Sequence, residues 1–238
     1  MDSTVTDDRP LYRLGGAMAI GGALLEFVGN ALHPRSVSYY GDPVAWLNNA
    51  TRSSQWFPSH VLILLGSILL IGGLVALSRS LTGTRGHGIG QVALANALIG
   101  SSLILVTLAI DGLTVAELDQ AWRVGPAPSP EALLAGSILY HTIFSLLYVF
   151  ELTLFGLAPI LYGVAILLSK AYATWLGWVG MLIGSSVVLT ALLSMIGVAT
   201  EFIDAVVWSV VASLFVLWVL VMGVLLWRKS QGLTGLRT

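Results

Sequence analysis

Apolar residues in this chain run in long, nearly unbroken stretches, and polar residues gather in the gaps between them. A helix needs about 20 apolar residues to cross the hydrocarbon of a bilayer. Six stretches meet that length: 14–32, 57–77, 89–110, 145–168, 175–198 and 206–227. No Asp, Glu, Lys or Arg occurs between Arg52 and Arg79, between Arg85 and Asp111, between Lys170 and Glu201, or between Asp204 and Arg228. The pattern predicts an all-α fold, a polytopic transmembrane helical bundle of six spans forming one integral-membrane domain over 1–238.

The fourth stretch belongs to a longer apolar run, Ala132 to Leu168, which is too long for one crossing. Ser129-Pro130-Glu131 reads as a helix start, with a serine cap, proline at the first position and an acid in the first turn. The early part of this helix is expected to stand outside the membrane. A break near Pro159 would instead add a seventh short element.

Composition agrees with lipid as the solvent. The chain is 56% hydrophobic and 10% charged, with a mean hydropathy of +0.88. Soluble domains carry about 25% charged residues, so a water-soluble fold could not cover its surface with so few. The net charge of −1 suggests no nucleic-acid partner. The absence of cysteine excludes disulfides, thiolate metal sites and thiol catalysis. Met1 to Pro10 is polar and acidic and lacks the basic-then-apolar order of a signal peptide, so the first apolar stretch is expected to remain as a span.

Lys and Arg set the expected orientation. With the N-terminus cytoplasmic, the inner side holds Arg9, Arg13, Arg79, Arg85, Lys170, Arg228, Lys229 and Arg237, and the outer side Arg35, Arg52 and Arg123. This obeys the positive-inside rule and puts both termini in the cytoplasm, with the plasma membrane the expected location. Trp46, Trp56, Trp122 and Trp208 then fall at the outer edge, and Trp175, Trp178 and Trp227 at the inner edge, as an aromatic belt. Trp218 is expected to face lipid or to pack.

Gly15, Gly22 and Gly29 recur every seven residues on the first helix, and such small-residue stripes let two backbones approach in lipid. This face is expected to be buried. Within the long outer loop, which holds Tyr39 and Tyr40, Pro43 to Ala50 is expected to form a short interfacial helix. Asn49-Ala50-Thr51 matches the glycosylation acceptor pattern, a weak signal. The glycine-rich 83–90 segment follows no strand and lacks a phosphate-loop ending, and reads as a turn. Leu98-Ile99-Gly100-Ser101-Ser102 recurs as Leu182-Ile183-Gly184-Ser185-Ser186, and Glu117 matches Glu201 at the same offset. This suggests parallel repeats, 57–117 and 141–201, against chance agreement among Leu, Gly and Ser.

Ionisable groups in lipid cost roughly 2.5–3.5 kcal/mol at mid-helix and call for a reason. Glu26 and Glu151 lie inside spans. At about 100° per residue, Gly22, Glu26, Gly29 and His33 share a sector of about 60°, so Glu26 and His33 share the glycine face. Topology places His33, His60, Asp111 and His141 in the outer half, one on each of four helices. Imidazole and carboxylate suit a transition metal such as Zn, Cu or Fe. Alternatively, His60 and His141 could clamp a haem. No HExxH and no histidine pair at i and i+4 narrows the choice, and the plain alternative is half-solvated histidines bonded to water or backbone. Glu26 and Glu151 are the candidate acids for catalysis or proton carriage; their plain alternative is a hydrogen bond to another helix. Ser186, Thr190 and Ser194 could line a polar seam or bond back to their own helix.

Three functions compete. One is an outward-facing pocket for a metal, a haem or a lipidic or small-molecule ligand. Another is a small proton-coupled transporter or channel using Glu26 and Glu151. The last is an oligomeric or accessory subunit of a membrane complex.

Overall fold

The apolar stretches fold as helices, the form in which main-chain N–H and C=O groups find partners within one segment, as a bilayer would require. The computed structural model describes residues 7–34, 42–115, 117–118, 130–198 and 208–233. Seven helices and no strand occur among them. We label them α1 (Arg9–Leu32), α2 (Pro43–Arg52), α3 (Trp56–Ser80), α4 (His87–Thr114), α5 (Pro130–Ser169), α6 (Thr174–Met195) and α7 (Trp208–Ser230). All but the short α2 are long and apolar enough to cross a membrane. Ser129, Tyr39, Tyr40, Trp122, Glu201, Asp204, Arg35, Arg123 and Arg237 lie outside the described residues.

Two helices change pitch along their length. The last turn of α4, Ala109–Thr114, and the middle of α5, Glu151–Leu157, are wound as π-helix. The α5 turn ends just before Pro159, and the Ala158 N–H reaches back five residues to the Thr153 carbonyl. Such local rewinding lets a membrane helix carry proline, so α5 continues through Pro159 rather than breaking there. At 40 residues and about 1.5 Å per residue, α5 is roughly twice the thickness of the hydrocarbon core, ~30 Å. The 145–168 stretch is its second half.

The glycine face of α1 packs against α3, running antiparallel. A Cβ on Gly22 would lie 2.8 Å from the Gly66 carbonyl oxygen, and one on Gly29 3.0 Å from that of Ser59. Gly15 meets Ala76 further along the same seam. On its other side α1 packs against α7, where Gly16 lies against the main chain of Gly223 and Trp227. The α5–α6 contact uses the same device, with Gly163 on Gly177 and Gly156 on Gly184. In a bilayer, whose lipid tails are as apolar as the helices, close van der Waals contact of this kind rather than hydrophobic burial would draw such helices together.

The main core joins α1, α3, α4, α5, α6 and α7. Trp218 belongs to it and does not face lipid: it is buried and its indole N–H donates to the Leu176 carbonyl at 2.9 Å. A second, smaller cluster sits at the end of the bundle where α1 stops. There Asp42 caps α2 by accepting from the Val44 and Ala45 N–H groups. Trp46, Leu47 and Ala50 of α2 pack on Trp56, Val115, Tyr140 and Ile143. Trp46 and Trp56 are thus buried, 2% and 3% exposed, instead of facing lipid as belt residues. Asn49 lies within α2 with its Nδ2 buried, unlike the surface position that a glycan acceptor takes.

At the opposite end Lys229 of α7 donates to the Ser80 carbonyl at 3.1 Å and lies over the rings of Tyr12 and Tyr172. Burial pushes the Tyr172 phenol up, keeping it a neutral group 2.6 Å from Ser80 Oγ. Arg79 pairs with Asp8 at 3.2 Å. The turn before α4 has Gly83 at φ +78°, in the left-handed region, and Gly86 pressed against the Ala165 carbonyl.

Candidate metal centre

Three side chains with metal-ligand chemistry converge at the α2 end of the bundle, each delivered by a helix end. His33 follows the last residue of α1, where the chain turns from helix to extended backbone ahead of Pro34. His60 stands in the first turns of α3. Asp111 is carried by the π turn that closes α4. One ligand atom from each of the three lies within 4.8 Å of the others. His60 is buried, 2% exposed, while His33 and Asp111 are half-buried, the Asp111 side chain being 17% exposed.

Hydrogen bonding fixes the tautomers. A carbonyl oxygen only accepts, so the 2.7 Å contact between His60 Nδ1 and the Trp56 carbonyl requires the proton on Nδ1. The same holds for His33 Nδ1, 3.0 Å from the Pro34 carbonyl. In the neutral ring this leaves the lone pair on Nε2 of both histidines. His60 Nε2 then faces Asp111 Oδ2 at 3.0 Å. A lone pair and a carboxylate oxygen repel unless a cation, either a proton or a metal ion, lies between them. Histidine ligands of metals commonly donate their other ring nitrogen to a carbonyl in this way, which fixes the ring and raises its basicity. The second carboxylate oxygen of Asp111, Oδ1, is buried with no hydrogen-bond partner.

The donor set fits a metal ion. Bonds of about 2.0–2.2 Å from nitrogen and oxygen to a first-row metal put two ligands of one ion at most ~4.3 Å apart. The 3.0 Å contact already satisfies this for a cis pair. The widest separation, at most 4.8 Å, closes by up to roughly half an ångström if those two ligands stand opposite each other on the ion, and further, to about 3.4 Å, in a tetrahedral arrangement.

Two features of the site carry no sequence signature of their own. Gly112, next to Asp111, lies directly on His60, where a Cβ would collide with the imidazole's own Cβ and Cγ. Trp56 donates its indole N–H to the Asp111 main-chain oxygen at 2.8 Å and makes ring contacts with His33 and His60, with centroids 5.2 and 4.7 Å away. Its residue type suggested a belt position; only the 55-residue separation from Asp111, closed by the fold, gives it a place at the centre.

The other expected site residues lie elsewhere. His141 is exposed on α5, in ring contact with Tyr140, and does not join the group. A haem clamped by His60 and His141 would require His60 Nε2 to leave Asp111. Glu26 is buried in the α1–α3 seam, seven residues from His33. Its Oε1 accepts from Ser67 Oγ at 2.7 Å and its Oε2 from Asn30 Nδ2 at 3.3 Å. Glu151 is buried at the start of the α5 π turn. Ser186, Thr190 and Ser194 bond back to carbonyls of their own helix at 2.8–3.1 Å. Beyond Glu26 the α1–α3 seam is closed by the contacts of Gly22 with Gly66 and of Ala19 with Gly73. No protein family, curated protein or solved structure matches the chain.

Proposed function

We propose that this chain is an integral membrane protein that binds a divalent first-row transition metal through His33, His60 and Asp111 at one end of its helical bundle. The apolar six-helix bundle supports the membrane setting. The observation that carries the metal reading is the facing pair His60 Nε2 and Asp111 Oδ2, 3.0 Å apart, with the imidazole proton committed to the Trp56 carbonyl. Two imidazole nitrogens and one carboxylate oxygen favour Zn, Cu or Fe over Ca or Mg, which prefer all-oxygen sites. The metal's chemistry would be Lewis-acid or redox chemistry at the boundary between the bundle and the α2 layer. The closed α1–α3 seam beyond Glu26 speaks against a conduit along these two helices.

Metal analysis of detergent-purified protein, followed by titration of stripped protein with Zn(II) and Co(II), tests the reading. The expected result is one ion per chain for the wild type, with binding lost in His60→Ala, His33→Ala and Asp111→Ala and retained in His141→Ala. A wild-type protein that neither carries metal nor binds it on titration would overturn the proposal. So would equal loss from His141→Ala and His60→Ala.

A further inference from the structure

Three ligands drawn from three different helices need something to hold them in register with one another. One residue touches all three through different atoms. The Trp56 carbonyl accepts from His60 Nδ1 at 2.7 Å and so sets that ring's tautomer. The Trp56 indole N–H donates to the Asp111 main-chain oxygen at 2.8 Å. The Trp56 ring lies against His33, with centroids 5.2 Å apart and planes inclined by 48°. Trp56 is itself held: its main-chain N–H donates to the Ser53 carbonyl at 3.2 Å.

The bond to Asp111 is the informative one. Asp111 lies within a π turn, where the main-chain bonding register is shifted and each carbonyl is aimed less regularly than in an α-helix. Turns of this kind recur at functional sites. An indole N–H from a neighbouring helix, locked by burial, fixes where the Asp111 carbonyl points and therefore where its carboxylate sits. Resting on the metal-binding reading, we infer that Trp56 is the positioning residue of the centre: its indole N–H anchors the π turn that presents Asp111 to the ion, and its ring braces both imidazoles.

The test compares Trp56→Phe with Trp46→Phe. Phenylalanine at 56 keeps an aromatic ring and the main-chain carbonyl and removes only the indole N–H and part of the contact area. Trp46→Phe removes similar area from the same cluster without touching a hydrogen bond to a ligand residue. Co(II) binding is followed by its visible absorption, which reports coordination geometry as well as affinity. Loss of a partner that orients a metal ligand typically costs about 10–100-fold in affinity. That loss, with altered Co(II) bands, is expected for Trp56→Phe, and near wild-type behaviour for Trp46→Phe. Equal weakening by both variants means that only packing matters and overturns the inference. Unchanged binding in Trp56→Phe overturns it too, while leaving the metal site standing. A wild-type chain that binds no Co(II) removes the metal reading and this inference together. If Trp56→Phe does not fold, the wild type still decides. Stoichiometric Cu(II) should quench a part of its tryptophan emission that is not quenched in His60→Ala, and the absence of such quenching counts against Trp56 at the centre.

Discussion

Glu26 Oε1 and Ser67 Oγ meet at 2.7 Å across the seam between α1 and α3, while Asn30, one turn along α1, donates to the other carboxylate oxygen at 3.3 Å. The bond gives the buried carboxyl a partner on the neighbouring helix, and it falls beside Gly66, whose missing side chain makes room for the Glu26 stem. Interhelical hydrogen bonds in membranes contribute about 0.6 kcal/mol on average and up to ~1.7. A double-mutant cycle over Glu26→Ala and Ser67→Ala, read by reversible unfolding in bicelles, should give a coupling in that range. A coupling indistinguishable from zero would mean that the contact does not hold the helices.

Gly22 marks the closest main-chain approach of the same seam. A Cβ there would stand 2.8 Å from the Gly66 carbonyl oxygen and 2.9 Å from the Leu70 nitrogen. Both are main-chain atoms that cannot swing aside, so the helices must separate. Overpacking of this kind costs typically about 1–3 kcal/mol. Gly22→Ala should lower the unfolding temperature of the purified protein clearly, and Gly88→Ala should not, because nothing lies within 4 Å of the position a Cβ would take on Gly88.

The spans were legible because their signal is length, and length survives any arrangement of the helices. The glycine face of α1 was legible because seven-residue spacing keeps Gly15, Gly22 and Gly29 on one side of a helix. The level of the ligands was legible too, since His33, His60 and Asp111 all sit at helix ends that topology brings to one side. Their convergence was not separable from the placement of His141. In lipid a helix such as α5 is apolar on every face, so hydropathy does not say which face turns inward, and the structure turns His141 outward. The π turns were hidden for a different reason. A shift of main-chain bonds by one residue leaves no pattern in side-chain type, yet it is this shift at Ala109–Thr114 that carries Asp111.

Lys229 ties α7 to the rest of the bundle at the end opposite the metal centre. Its ammonium group donates to the Ser80 carbonyl and lies 5.0 Å from the Tyr12 ring centroid. Lys229→Met keeps the length of the stem and removes the donor and the cation. A cation over an aromatic ring contributes ~0.5–1 kcal/mol when exposed and more when desolvated, and a net hydrogen bond about 1 kcal/mol. The variant should therefore be destabilised by roughly 1–2 kcal/mol with its metal content unchanged. Loss of metal in Lys229→Met would show that the two ends are coupled, contrary to the separation of the two clusters.

Gly112 links the main chain of α4 to the imidazole of His60. It packs so closely on that side chain that a Cβ would overlap the imidazole's Cβ and Cγ. Unlike a flexible chain end, His60 cannot retreat: both ring nitrogens are engaged, and the residue is 2% exposed. Gly112→Ala must then push the π turn away from α3, lengthening the 3.0 Å contact between His60 and Asp111 and straining the bond from Trp56 to the Asp111 carbonyl. Because a metal bond of about 2.1 Å tolerates only a few tenths of an ångström, affinity should suffer out of proportion to stability. The expected outcome is a drop in Co(II) affinity of tenfold or more, in a protein whose helical content and elution volume match the wild type. Alanine at 112 with wild-type metal affinity would mean that the π turn can slide on α3 without disturbing Asp111, and the close contact between Gly112 and His60 would then have no bearing on the centre.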